Sequence, residues 1–200
     1  MATPLKDYLN VLFRIFLTPS SSLTLAGCYL QNRILYKTNE TGSSKLKIST
    51  HEMYSELIHD VKMVLGSEGK YRPDHTGMMA ISAAMIMRYI PDLVFAGYYR
   101  VIHDQLHIGP YQGTVIPCTP ISFGKGVCGE CALSRMPVIV EDVSQYPNYI
   151  ACDQETRSEI VIPVISKNEF IAVLDIDGKN HGQFSTSDAR YLVDVLDVIF

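Results

Sequence analysis

The sequence predicts an α+β domain in which an antiparallel sheet is flanked by N- and C-terminal helices. Three observations predict it. Apolar residues recur at helical spacing over residues 50–65 and 77–90, and again after Ser185. Between those stretches the period changes to two. Successive strands there are joined by two-residue turns, His103-Asp104 and Lys167-Asn168. Helices gathered at the ends of such a sheet define the class.

Residues 1–45 read as a divergent tail and linker, disordered or targeting, and 46–200 as the folded domain. The first 22 residues are apolar, but Asp7 and Arg14 interrupt the unbroken centre of a signal peptide. Leu25-Ala26-Gly27-Cys28 has the letters of a lipid-attachment box, and Asn39-Glu40-Thr41 those of a glycosylation site. Both are short matches behind a poor signal. The polar run KTNETGSSKLKIS at 37–49 reads as a linker.

Ser49-Thr50-His51-Glu52 is a capping box, and Leu57, Ile58, Val61 and Leu65 form the apolar face of the first helix. The second helix, about 77–90, carries Met78, Ile81, Met85 and Tyr89 as core and is ended by Pro91. LVFAGYYRVI (93–102) and QLHIG (105–109) form a strand pair. Residues 115–123 are extended but broken by Pro117 and Pro120, which confines them to an edge or bulge. A Gly-Lys-Gly turn opens a short helix at about 127–134. A strand follows at 137–140, then a long loop at 142–153. Strands at 159–166 and 170–177 come next, and the last helix is capped by Ser185 and Asp188.

Composition narrows the function. Two hundred residues, 47% hydrophobic and 19% charged, can bury a core without disulfide staples. A net charge of −4 without a basic stripe argues against nucleic acid and against an anionic membrane surface. No run of 18 apolar residues exists to span a membrane. Five cysteines, an odd number in a chain of this length, favour reduced thiols and a cytoplasmic setting, with organelle targeting by the tail left open.

Four of those cysteines, Cys118, Cys128, Cys131 and Cys152, fall within 35 positions. Such clustering suits redox or metal chemistry better than single core thiols do. Cys128 lies near a helix start just after Lys125, so its pKa is expected to fall. Cys128-Gly129-Glu130-Cys131 is a CxxC, but it lacks the parallel-strand context of a redox pair and the second ligand pair of a zinc site. Cys131 reads as a helix-face core residue. Cys152 precedes Asp153, which raises a thiol's pKa unless a cation such as Arg157 offsets it. Gly124-x-Gly126-x-x-Gly129 matches a dinucleotide fingerprint by letter but lacks its βαβ setting. His103, His107 and His181 stand alone and read as surface or loop residues. Asp175 and Asp177 alternate with Leu174 and Ile176 and so share one sheet face, while Glu159 opens an apolar strand. These carboxylates either meet solvent or line a pocket that receives an ammonium group.

At these residues the chain resembles the free methionine-(R)-sulfoxide reductases, a family built on a GAF domain. The matching stretches are FAGYY (95–99), LHIGPYQG (106–113), FGKGVCG (123–129), VEDVSQYPNYIACD (140–153), SEIVIPVI (158–165) and VLDIDG (173–178). They cover roughly residues 50–200. The resemblance implies a GAF fold and reduction of free methionine (R)-sulfoxide through a thiol, sulfenic acid and disulfide cycle. It implies no metal and no bound cofactor, with thioredoxin as external reductant. It places the three site cysteines on Cys152 (nucleophile), Cys118 (resolving) and Cys128 (accessory), against the thiolate character expected of Cys128. It places the substrate carboxylates on Glu159, Asp175, Asp177 and Asp142, with Glu159 as candidate proton donor. The aromatic wall falls on Phe95, where the family usually has Trp, and on Tyr99. Monomer and homodimer both fit the sequence. The competing readings are a non-catalytic GAF module that senses a small ligand or redox state, and a zinc-bound structural thiol cluster.

Overall fold

The computed structural model describes residues 48–65 and 73–200. The expectations for the tail, its lipid-attachment and glycosylation letters and Cys28 lie outside the described residues. The elements run α1 (Thr50–Leu65), α2 (His75–Tyr89), β1 (Leu93–Ile102), β2 (Gln105–Gly113), β3 (Ile121–Ser122), α3 (Gly126–Ser134), β4 (Val138–Val140), a 3-10 turn (Val143–Gln145), β5 (Ser158–Ser166), β6 (Glu169–Gly178) and α4 (Thr186–Ile199). Among the described residues no helix is long and apolar enough to cross a membrane.

The caps that the sequence shows are formed. The Ser49 amide donates to Glu52 (2.9 Å) and the Glu52 amide to Ser49 Oγ (3.2 Å), closing the box before α1. Ser185 and Asp188 do the same for α4. Asp74 caps α2 by accepting from the Gly77 amide at 2.8 Å, so that helix starts two residues earlier than its apolar period indicates.

The six strands form one antiparallel sheet in the order β3-β2-β1-β6-β5-β4. The proline-broken segment contributes only β3, at an edge, as Pro117 and Pro120 require. β2 runs four residues past its expected end. Pro110 fits because it falls at the register shift between Gly97 and Tyr99, where the ladder is already interrupted.

The period-two alternation divides the sheet into two faces. Ala96, Tyr98, Ile160, Ile162, Leu174 and Ile176 point to one side and pack against α1, α2 and α4. Tyr98 buries its hydroxyl there in a 2.8 Å hydrogen bond with Ser82 Oγ, which itself donates to the Met78 carbonyl at 2.8 Å. Phe95, Tyr99, Val161 and Val173 point to the other side, where α3 and the loops cover them. A register shift between Leu93 and Phe95 sends Val94 and Phe95 to this same face. Polar functional groups are thereby confined to one face, while the helical face carries the main apolar core.

Gly129 fixes how closely α3 approaches β3. A Cβ there would lie 2.5 Å from the Ser122 carbonyl oxygen, and the Gly129 carbonyl accepts from the Gly124 amide at 2.7 Å. Gly129→Ala must push the helix off the sheet. It should lower the unfolding free energy by about 1–3 kcal/mol in urea denaturation, as overpacking does; an unchanged midpoint would show that the contact yields freely.

Candidate active site

The second face carries a pocket between the centre of the sheet and its cover. β1 contributes Phe95 and Tyr99, β5 Glu159, and β6 Asp175 and Asp177. From the cover come Lys125, Gly126, Val127 and Cys128 around the start of α3, and Tyr149, Ile150 and Cys152 from the long loop. Val115, Pro117 and Ile121 close one side. The space holds about 440 Å³ with its open mouth included, the scale of a small-molecule site.

The carboxyls owe their placement to the strand register. Glu159 stands opposite Asp177 across the β5–β6 pair, and Asp175 lies two residues along the same strand, opposite Val161. All three therefore share one face, and all are buried, with relative exposures of 5%, 8% and 6% for Glu159, Asp177 and Asp175. Burial is the first cause that raises each pKa; for Glu159 and Asp177 the neighbouring Asp175 adds to it. Asp175 itself is raised to about 6. Asp175 Oδ1 is buried with no hydrogen-bond partner. Of the two expectations for these strands, a solvated face and a pocket, the structure gives the pocket.

The four described cysteines are free thiols. Cys152 lines the pocket; Cys118, 34 residues earlier in sequence, is outside that lining but beside Cys152, its amide donating to Cys152 Sγ at 3.4 Å. Burial, and then the Cys118 thiol beside it, raises Cys152 to about 12. Arg157, expected as its cationic partner, instead donates to the Gln154 and Thr156 carbonyls at 2.8 and 3.2 Å. Asp153 is likewise occupied, accepting from the Thr156 amide (2.9 Å) and hydroxyl (2.6 Å) to shape the loop.

Cys128 corrects the expectation from helix geometry. It does sit in the first turn of α3, which begins at Gly126. But the thiol is buried and points at Glu159 Oε1, 3.9 Å away. Burial first, then Asp175 and Glu159, push its pKa well above the ordinary value. Lys125 is solvent-exposed. Desolvation and adjacent carboxylates thus outweigh the helix terminus. Cys131 is the core residue expected of it, buried, with its thiol 3.7 Å from the Val161 carbonyl.

Asp142 does not join the pocket lining. Its Oδ1 accepts from the Ser144 amide (2.9 Å) and hydroxyl (2.7 Å), which caps the 3-10 turn and lowers its pKa, and His181 lies 3.6 Å off. Among the lining residues that sequence reasoning did not assign to the site are Val115, Ile121 and Ile150. They are ordinary apolar residues in irregular segments, with no periodic signal to mark them. Phe95 stacks on Tyr111 (centroids 5.5 Å, 25°) and tilts against Tyr99 (6.5 Å), so the aromatic wall stands without Trp.

A sheet with helices on one face and a polar pocket under α3 on the other is the architecture of a GAF domain, and the GAF domain family model matches residues 80–199. The free methionine-R-sulfoxide reductase of Escherichia coli is 35% identical over 141 residues, 70% of this chain and 82% of that protein. Protein ZMO0507 of Zymomonas mobilis is 38% identical over 160 residues, 80% of this chain and 92% of that one. Among solved structures, the free methionine-R-sulfoxide reductase of Neisseria meningitidis in complex with its substrate is 32% identical. It has a TM-score of 0.67 and covers 80% of this chain and 93% of its own. The chain belongs to the free methionine-R-sulfoxide reductase family of GAF-domain proteins.

A carboxyl whose folded pKa is raised stabilises the fold fully below its unfolded pKa and loses that contribution as pH rises through the folded value. For Asp175 the window runs from ~4 to about 6. Asp175→Asn should therefore flatten the fall in melting temperature across that window. At pH 7 the variant should gain on the order of 2–3 kcal/mol over wild type, with the two alike below pH ~4. Thermal melts against pH decide it; parallel curves would mean that Asp175 ionises without cost.

Proposed function

We propose that the chain reduces free methionine (R)-sulfoxide to methionine by a thiol, sulfenic acid and disulfide cycle, with thioredoxin as the dithiol that restores it. One observation carries the reading beyond family membership: three buried carboxyls line one small pocket with Cys128 and Cys152, and the Cys118 amide reaches the Cys152 sulfur from beside it. A buried carboxyl cluster favours a ligand that brings an ammonium group, and the unpartnered Asp175 Oδ1 is a ready acceptor for it. Free methionine sulfoxide offers that group; a residue within a peptide does not.

The steps follow from the side chains. Asp175 and Asp177 hold the substrate ammonium. Its charge offsets the carboxylate field, which is one of the influences raising Cys152. The Cys118 amide already donates to Cys152 Sγ, so the thiolate forms there once the substrate is bound. That thiolate attacks the sulfoxide sulfur. Glu159, whose pKa burial and then Asp175 raise, donates its proton to the sulfoxide oxygen. In the adduct the substrate S–O bond and the new sulfur–sulfur bond break as the oxygen moves to the Cys152 sulfur, which leaves Cys152 as a sulfenic acid and releases methionine. The Cys118 thiol then displaces water to give a Cys118–Cys152 disulfide, and the external dithiol reduces that bond and is itself oxidised. Cys128, deeper and beside Glu159, is an accessory thiol. Phe95 and Tyr99 give the substrate methyl group an apolar wall.

Turnover of each free methionine sulfoxide epimer with thioredoxin and its reductase tests this. Only the R epimer should be consumed. Cys152→Ser should abolish consumption, whereas Cys128→Ser should lower it by no more than about tenfold, ~1.4 kcal/mol of barrier. Abolition by Cys128→Ser with activity kept in Cys152→Ser would transfer the nucleophile to Cys128. A folded, reduced protein that consumes neither epimer would sink the enzyme reading in favour of a ligand-sensing module.

A further inference from the structure

We propose that Cys128 Sγ, one Glu159 oxygen and one Asp175 oxygen form a binding site for a zinc-like divalent cation, which closes the pocket to its organic ligand. These three atoms lie within 4.8 Å of one another, and all three residues are buried. The Cys128–Glu159 edge is already 3.9 Å. Zinc takes sulfur at about 2.3 Å and carboxylate oxygen at about 2.0–2.2 Å. Ligand edges in such a tetrahedron are roughly 3.5 Å, so a contraction of about an ångström completes the set. The three ligands come from three elements, α3, β5 and β6, which lets each side chain approach from its own direction.

A second observation, made at one of the three side chains, points to a cation. Asp175 Oδ1 is buried, lines the pocket and has no hydrogen-bond partner. The neighbouring groups do not compete for the role. Asp177 lies outside the set of three, and Cys131 directs its sulfur to the Val161 carbonyl at 3.7 Å. A mixed sulfur and oxygen set discriminates against magnesium and calcium, which take oxygen alone, and suits zinc or cobalt. Three protein ligands leave the fourth position for water. On binding, the Cys128 thiol and the Glu159 carboxyl release their protons to solvent and no electrons move. The cation takes up Asp175, so it and an ammonium-bearing ligand exclude one another; this last step rests on the reductase reading.

Cobalt(II) titrated into the reduced, chelator-treated full chain is the probe. One equivalent should give a near-ultraviolet thiolate-to-cobalt charge-transfer band that zinc removes. The Cys118→Ser/Cys152→Ser double variant should keep the band and Cys128→Ser should lose it. Asp175→Asn should weaken cobalt binding at least ~10-fold, the lower bound for losing even an outer-shell partner. Free methionine sulfoxide should raise the apparent cobalt dissociation constant. No band in wild type overturns the site, as does a band lost in the double variant or an affinity unchanged in Asp175→Asn. The latter two decide even where Cys128→Ser does not fold. Binding is read without turnover, so its failure leaves the reductase reading standing. Loss of turnover in metal-free enzyme leaves the cation site standing.

Discussion

Glu159 and Asp177 face each other across neighbouring strands, with Asp175 two residues away on the same face, and the cover above shuts all three from water. Like charges directly opposite on a sheet repel, and an unpaired buried carboxylate costs more still. The free protein meets this constraint by keeping protons on the carboxyls to higher pH, which is the sense of the raised pKa values; Asp175, raised to about 6, is the one given a value near neutrality. A ligand cation meets it better. The arrangement lowers stability wherever no positive charge offsets the carboxylates. The large apolar core on the opposite face of the sheet is what makes such a cluster tolerable.

The thiols inherit the same field. Cys128 is close enough to the carboxyls that their charge and its burial override its place in the first turn of a helix. Cys152 sits farther out, half-buried, where a backbone amide reaches its sulfur. A single pocket therefore holds two kinds of thiol: one deep beside the carboxyls, and one half-buried with a backbone amide on its sulfur. The difference arises first from burial, deeper for Cys128 than for Cys152, and then from distance to the carboxyls.

The cover is held by small, specific contacts. Gly129 lets α3 lie against the Ser122 carbonyl. Gly126, at φ 60°, starts the helix beneath Ile150, where a Cβ would sit 3.1 Å from that side chain. The Tyr146 hydroxyl donates to Glu130, which ties the long loop to α3. Asp142 and Asp153 belong to this scaffolding, each capping a turn of the loop. The Asp142 carboxylate acts on the backbone of the loop that shapes the pocket, outside the residues that line it.

The sequence by itself determined the elements and their order. The boxes at Ser49-Glu52 and Ser185-Asp188 are local hydrogen bonds that need no tertiary partner, and alternation over 93–102, 159–166 and 170–177 writes the strand faces directly into the chain. That alternation also put Asp175 and Asp177 on one side. The family's motifs marked the cysteine segments. Tertiary structure alone decided that this side is interior, that Glu159 stands opposite Asp177, and that Cys118 meets Cys152. It alone reversed the sign expected for Cys128 and brought Val115, Ile121 and Ile150 to the pocket. The physical reason is common to all of these. Hydrogen bonds within a turn and periodicity are set by near neighbours, whereas burial and electrostatic field are sums over atoms that only the folded chain brings together.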